Sequence, residues 1–227
     1  LGHVTMCDVD SNEPIWTVEL RKRGGVTALD VLQDGSRVIA ATYAGICSII
    51  DSKTGQVLCE IGQKKYGAAT CVAFGQDGRR VITGNDDGAV RLWDSGDLTE
   101  KLKIDAHAGG VTCLCGWLEG NRIISGGRDN LVKLWNLADG REEKIFKGHS
   151  FGVAGLATSS DGRRLASASG DHTVKVWDIA AGKVIFNLES PDERFSAAAF
   201  HPDGLRLIAG GSGRVVYLVR MRAAASC

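Results

Sequence analysis

The 227 residues carry 27 Lys and Arg against 27 Asp and Glu, and this zero formal charge removes the electrostatic footprint of a nucleic-acid binder or a polybasic membrane anchor. Apolar residues make up 44%, enough for a buried core, and no run approaches the roughly 18 apolar residues of a membrane helix. Seven cysteines, an odd number without a C-x-x-C pair, argue against a disulfide framework or zinc site and for free buried thiols, Cys113 and Cys115 among them, in a reducing intracellular compartment.

The chain opens on Leu1, without a signal peptide and inside the pattern described next, so a fragment of a longer polypeptide is expected. Two short strands come first, at Val4–Asp8 and Ile15–Leu20. Then an Asp-Gly turn pair recurs at Asp34-Gly35, Asp77-Gly78, Glu119-Gly120 (with Glu for Asp), Asp161-Gly162 and Asp203-Gly204, at steps of 43, 42, 42 and 42 residues. Each pair precedes an apolar run: RVIAAT, RVITGN, RIISGG, RLASAS and RLIAGG. A second anchor keeps the same spacing at Ile50, Trp93, Trp135, Trp177 and Val219, with Cys7 in the same slot one unit earlier. A fixed period of this length signals a repeat architecture.

Runs of four to six β-branched and apolar residues between Gly, Asp and Asn turns read as strands, four to a unit, and no segment has a helical period. Strands a begin near Val26, Ala69, Val111, Val153 and Phe195 and are rich in small residues. Strands b are nearly all apolar and do not alternate, as suits strands covered on both faces. Strand d follows the first four a-b-c triplets, giving 21 strands in all. The units run over 21–61, 62–104, 105–146, 147–188 and 189–220, behind a partial leading unit at 1–20, and are expected to form one domain over 1–227.

GHSFGVAGLATSSDGRRLASASGDHTVKVWD and AHAGGVTCLCGWLEGNRIISGGRDNLVKLWN combine Gly-His or Ala-His, Asp-Gly or Glu-Gly, Ser-x-x-x-Asp and a Trp near the end at fixed offsets. The chain thereby resembles the WD-repeat β-propeller family over essentially its whole length. The resemblance implies an all-β propeller of four-stranded antiparallel blades. About five and a half repeats are expected here, as part of a seven-bladed ring. A five-bladed ring closed by Ile15–Leu20 is the alternative, and it leaves Val4–Asp8 without a role.

Ser167, Asp171 and His149 are also the parts of a hydrolase, with His172 nearby. The resemblance gives them another meaning, a hydrogen-bonded tetrad of His, Ser or Thr, Asp and Trp inside each blade. His107, Ser125, Asp129 and Trp135 form one such set, and His149, Ser167, Asp171 and Trp177 the next. Thr83, Asp87 and Trp93 form a third, with Lys65 in the histidine slot. The first triplet (Lys22, Ala40, Ala44, Ile50) and the fifth (Pro191, Ala209, Gly213, Val219) lack the tetrad. A set that recurs at the repeat period, without a G-x-S-x-G elbow, is expected to be structural, and no enzyme activity, metal or cofactor is expected. His172 shares its slot with Gly88 and Asn130 and is expected at an exposed turn.

Propellers of this family generally act as platforms that bind other proteins, so a non-catalytic interaction scaffold in a multi-protein assembly is the expected function. Partners are expected to be other proteins, cytoskeletal or other large-complex components included, with no small-molecule substrate and no membrane insertion. A chromatin- or nucleic-acid-associated propeller is the alternative, for which the only basic triplet is RKR at 21–23. Interface hot spots favour Tyr, Trp and Arg, and the loop positions Tyr43, Tyr66, Arg128, Phe151 and Arg194 supply the aromatic and cationic reach. Thr27, Thr70, Thr112, Ala154 and Ser196 are expected at a channel rim. A cytoplasmic location is expected, with cytoskeletal, ciliary and nuclear sites all compatible.

Overall fold

A computed structural model describes residues 2–20, 24–75, 77–118, 121–213 and 215–221. The Glu119-Gly120 turn, the basic triplet at 21–23 and Lys22 lie outside them. The described residues form 21 strands, all paired antiparallel, and a single 3-10 turn at Lys64–Tyr66. Chain contacts divide them into two compact units, one ending at Ala106 and the other beginning at His107.

In the first unit, β1 (His3–Cys7) pairs with β2 (Pro14–Glu19). A four-stranded sheet follows in sequence order: β3 (Val26–Val31), β4 (Arg37–Thr42), β5 (Ile46–Asp51) and β6 (Val57–Gly62). The next contains β7 (Ala69–Phe74), β8 (Arg80–Asn85), β9 (Ala89–Asp94) and β10 (Thr99–Asp105). Ile39, Ala41, Cys47 and Ile49 of one sheet pack on Ala69, Val72, Val81 and Trp93 of the next. Ala40 and Ile50 point to the other face, against Val4, Trp16 and Val18. Alternate side chains of one strand thus fill two interfaces, which is why β4 is apolar at nearly every position.

In the second unit, β11 (Val111–Leu118), β12 (Arg122–Gly127), β13 (Val132–Asn136) and β14 (Glu142–Phe146) form a four-stranded sheet. So do β15 (Val153–Thr158), β16 (Arg164–Ser169), β17 (Thr173–Asp178) and β18 (Lys183–Glu189). The last sheet has three strands, β19 (Phe195–Phe200), β20 (Arg206–Gly211) and β21 (Tyr217–Arg220). Ile124, Val132, Leu134 and Phe146 pack on Val153, Leu165 and Trp177. Ala166, Ala168, Val174 and Val176 pack on Phe195, Leu207 and Ala209.

Two expectations need correction. Strand β20 alternates between exposed and buried residues instead of being buried throughout, because only one face of its sheet is covered among the described residues. Cys7 is exposed, unlike Cys47, Cys71 and Cys113, so its slot anchors nothing in the two-stranded sheet.

Candidate functional site

The turn between strands b and c must reverse the chain in very few residues, and one of them adopts a left-handed conformation. Gly45, Gly88, Asn130 and His172 hold φ of 73°, 84°, 67° and 69° at equivalent positions. Glycine reaches this region without steric cost, and Asn and His are among the side chains that tolerate it best. His172 is half-buried, not exposed, and its Nδ1 lies 3.0 Å from the Glu193 carbonyl oxygen.

The same turn presents an aspartate to the loop that enters strand a. Asp171 accepts the Ser150 amide (2.9 Å), the Thr173 amide (3.0 Å) and the Thr173 hydroxyl (2.7 Å). Its Oδ2 also lies 2.8 Å from His149 Nδ1. Burial pushes this carboxyl up, but hydrogen bonds from Thr173, Ser150 and His149 outweigh it and hold the group below its usual range. On the far side of the imidazole, His149 Nε2 lies 2.7 Å from Ser167 Oγ, and Trp177 Nε1 donates to that same Oγ at 2.8 Å.

An ionised carboxylate only accepts, so Nδ1 carries the proton. Burial lowers the pKa of His149 and outweighs the opposing pull of Asp171, so the ring is neutral near pH 7 and Nε2 accepts from the Ser167 hydroxyl. Each donor from Trp177 to His149 thereby meets an acceptor, ending on the Asp171 carboxylate. The preceding sheet repeats the chain. His107 Nδ1 is 2.8 Å from Asp129 Oδ1, His107 Nε2 is 2.7 Å from Ser125 Oγ, and Trp135 donates to Ser125 Oγ at 2.8 Å. Ser125 and Ser167 have no exposed surface. A nucleophile must reach a substrate, and neither hydroxyl can.

The third set is built differently. Trp93 donates to Thr83 (3.0 Å), and Thr83 donates to Asn85 Oδ1 (3.1 Å). Lys65 does not enter; its ammonium lies over the Tyr66 ring. The histidine's place is taken by Arg91, from strand c, whose guanidinium forks onto Asp87, reaches Asn85 Oδ1 at 3.3 Å and faces Glu100 Oε2 at 3.4 Å. Tyr66 covers it, with the Arg91 Cζ 3.7 Å from the ring centroid, and packs on Trp93. Tyr66 is therefore half-buried packing, not an exposed loop contact. Loss of His at 65 coinciding with gain of Tyr66 and Arg91 was the signal that sequence reasoning missed.

The two sheets without tetrads compensate locally. Ser48 donates to Glu60 (3.0 Å) in the first, where Ala40 and Ile50 are packed in apolar surroundings. In the last, Tyr217 donates to Ser190 (2.7 Å) and buried Glu193 accepts the Gly213 amide (2.8 Å). The expected rim threonines are partly consumed. Thr27 donates to the Ala69 carbonyl and Thr112 to the Val153 carbonyl, each tying one sheet to the next within its unit.

Of the expected contact residues, Tyr43 is 68% and Phe151 60% exposed, and Arg128 and Arg194 are exposed. Arg128 donates to the Gly109 carbonyl at 3.1 Å, and its backbone lies against Gly152, so Arg128 and Phe151 share one loop face of the second unit. No group of three or more His, Cys, Asp or Glu side chains suited to a metal occurs among the described residues, and none of their helices is long and apolar enough to cross a membrane.

Four-stranded antiparallel sheets repeated every 42 residues, with a strand-c Trp clamped in three of them, define a blade-forming repeat protein. The WD domain, G-beta repeat family matches residues 56–94, 98–136 and 140–178, just over half of the chain, and the chain belongs to that family. Each matched stretch takes strand d of one sheet and strands a to c of the next, so the sequence repeat and the sheet are one strand out of phase. No curated protein matches the chain. WD-repeat proteins generally serve as non-enzymatic platforms for protein interactions.

Proposed function

We propose that this protein is a rigid scaffold that binds other proteins through the loops joining strands d to a and b to c, as one component of an intracellular multi-protein assembly. The observation that carries this reading is the division of labour at those loops. His149, Ser167 and Asp171 turn inward and are consumed in a closed hydrogen-bond chain, while Phe151 stands out into solvent beside Ser150, whose amide that chain binds, and Tyr43 stands out from a sheet that has no such chain. Exposed aromatic and Arg side chains on a rigid support are the ordinary makings of interface hot spots. Tyr43, Arg128, Phe151 and Arg194 are the proposed contacts. Free thiols support the intracellular placement, and the four complete blades support membership of a larger, seven-bladed ring.

Cross-linking affinity capture with the wild-type chain and with Arg128→Glu/Phe151→Ala tests the reading. The double variant should keep its melting temperature and lose specific partners. Unchanged recovery of every partner would count against the loop face.

A further inference from the structure

In the second unit a cleft of about 470 Å3 opens between the sheet of β11 to β14 and the sheet of β15 to β18. It lies at the strand ends that carry the a–b and c–d turns, opposite the loop face. Both sheets have all four strands, so a further strand of a larger ring has no place in it. Leu134 and Ile179 line its floor and are themselves buried. Around them stand three cations, Arg122, Lys144 and Arg163, and two acids, Glu143 and Asp178.

Both acids are already engaged. Glu143 Oε1 accepts the Asn136 side-chain amide at 3.2 Å, and its Oε2 faces Arg122 Nη1 at 3.6 Å. Asp178 caps its own turn by accepting the Ala181 amide at 2.7 Å. Two of the cations are not matched in this way. Lys144 Nζ donates to the Ile179 carbonyl at 2.9 Å and to the Ala180 carbonyl. Both acceptors are neutral, and an ammonium has a third N–H to give. Arg163 is exposed, and neither it nor Lys144 makes an ion pair among the described residues. The first unit closes the equivalent arrangement. Cys59 holds the slot of Lys144, across from Ile49 as Lys144 is across from Leu134, and its Sγ lies 3.9 Å from the Ser95 carbonyl oxygen. Arg79, two residues after its turn aspartate as Arg163 is, binds Asp94 at 2.9 Å.

We infer that this cleft is a docking site for one carboxylate side chain, Asp or Glu, carried by a partner protein and received between Arg163 and Lys144. The guanidinium fork matches a carboxylate, and the spare ammonium N–H of Lys144 gives it a second charged donor. One carboxylate balances the surplus of three cations over two acids. A phosphate monoester carries a charge of about −1.5 to −2 and would exceed it. The inference rests on the scaffold reading, but the site lies at the far ends of the strands from the loop face.

The probe is the capped pentapeptide Ala-Ala-Glu-Ala-Ala, titrated into the full chain beside its Gln counterpart and followed by backbone-amide and arginine Nε–H NMR shifts. The Glu peptide should move the Arg163 Nε–H and the Ala180 and Ala181 amides saturably. It should bind about fivefold more tightly than the Gln peptide, the scale of one exposed ion pair. Arg163→Gln should erase that preference and keep the melting temperature, while Arg79→Gln and Arg128→Glu/Phe151→Ala should leave the preference intact. Equal affinities, no saturable shift, or shifts centred on other residues would overturn the inference. So would inorganic phosphate binding at these residues more tightly than the Glu peptide. If the cleft fails while the loop variant still loses partners, only the cleft falls.

Discussion

His149 Nε2 lies 2.7 Å from the Oγ of Ser167, a hydroxyl with no exposed surface that already accepts the indole N–H of Trp177 at 2.8 Å. The distances match those of a hydrolytic triad, and the surroundings invert its meaning. The pairing joins the loop that enters β15 to the middle of β16. Its chemistry is spent on itself.

Removing the indole should therefore cost more than removing the hydroxyl. An aromatic side chain of this size buries roughly 150–250 Å2, about 4–6 kcal/mol of apolar transfer at ~25 cal/mol per Å2. Trp135→Ala and Trp177→Ala are expected to destabilise by about 3–5 kcal/mol. Urea unfolding followed by circular dichroism reads the effect; an unchanged midpoint in either variant would remove that Trp from the core.

Stability should fall in mild acid. Burial holds His107 and His149 below the usual 6.5, against the opposing pull of Asp129 and Asp171. Above 6.5 both folded and unfolded forms are neutral and this contribution is complete. Below 6.5 the unfolded chain binds protons first, so stability is lost progressively as pH drops toward the folded pKa. Asp171, held below 3.8, adds a further loss beneath that pH. Unfolding free energies at pH 7.5 and 5.5 should differ less in His107→Gln/His149→Gln than in wild type. An identical pH slope would contradict the assignment.

Arg91 should matter as much to its blade as histidine does to the others. Arg91→Ala leaves Asp87 and Asn85 without their shared donor and strips the Tyr66 face. Because Asp87 and Glu100 are about a third exposed, the expected cost is about 2–3 kcal/mol, short of that for a fully buried pair. Thermal unfolding of Arg91→Ala beside Arg79→Ala, whose guanidinium is largely exposed, gives the comparison. Equal melting temperatures would show that Arg91 is not a support.

Thiol reactivity should follow burial. Cys47 and Cys71 are buried, and burial pushes both thiols up to about 12, whereas Cys7 is exposed. Native-state alkylation read by mass spectrometry should mark Cys7 well before either of them. Early labelling of Cys47 would mean that the first four-stranded sheet opens.

Much of this was legible in the chain because repetition reports on itself. Each of the five a strands begins at the residue the period marks, Val26, Ala69, Val111, Val153 and Phe195. Two full tetrads were visible as four residue types at fixed offsets. What escaped was compensation. Nothing in the spacing of Lys65 shows that Arg91, on another strand, takes over the bonding of the absent histidine, since that depends on the guanidinium reaching across the sheet. Tyr66 was likewise visible as an aromatic in a loop, but its packing against Arg91 and Trp93 is a tertiary fact. The burial of Glu193 beneath Gly213 has no echo in the other repeats.

Equilibrium unfolding of Ser125→Ala and Ser167→Ala, side by side, tests most directly the claim that the Ser-His-Asp chains are supports. Each substitution strands an indole N–H and a ring nitrogen, so each should cost about 1–3 kcal/mol, and the two losses should be similar because the two sets are the same device. A Ser167→Ala chain as stable as wild type, beside a destabilised Ser125→Ala, would contradict the account.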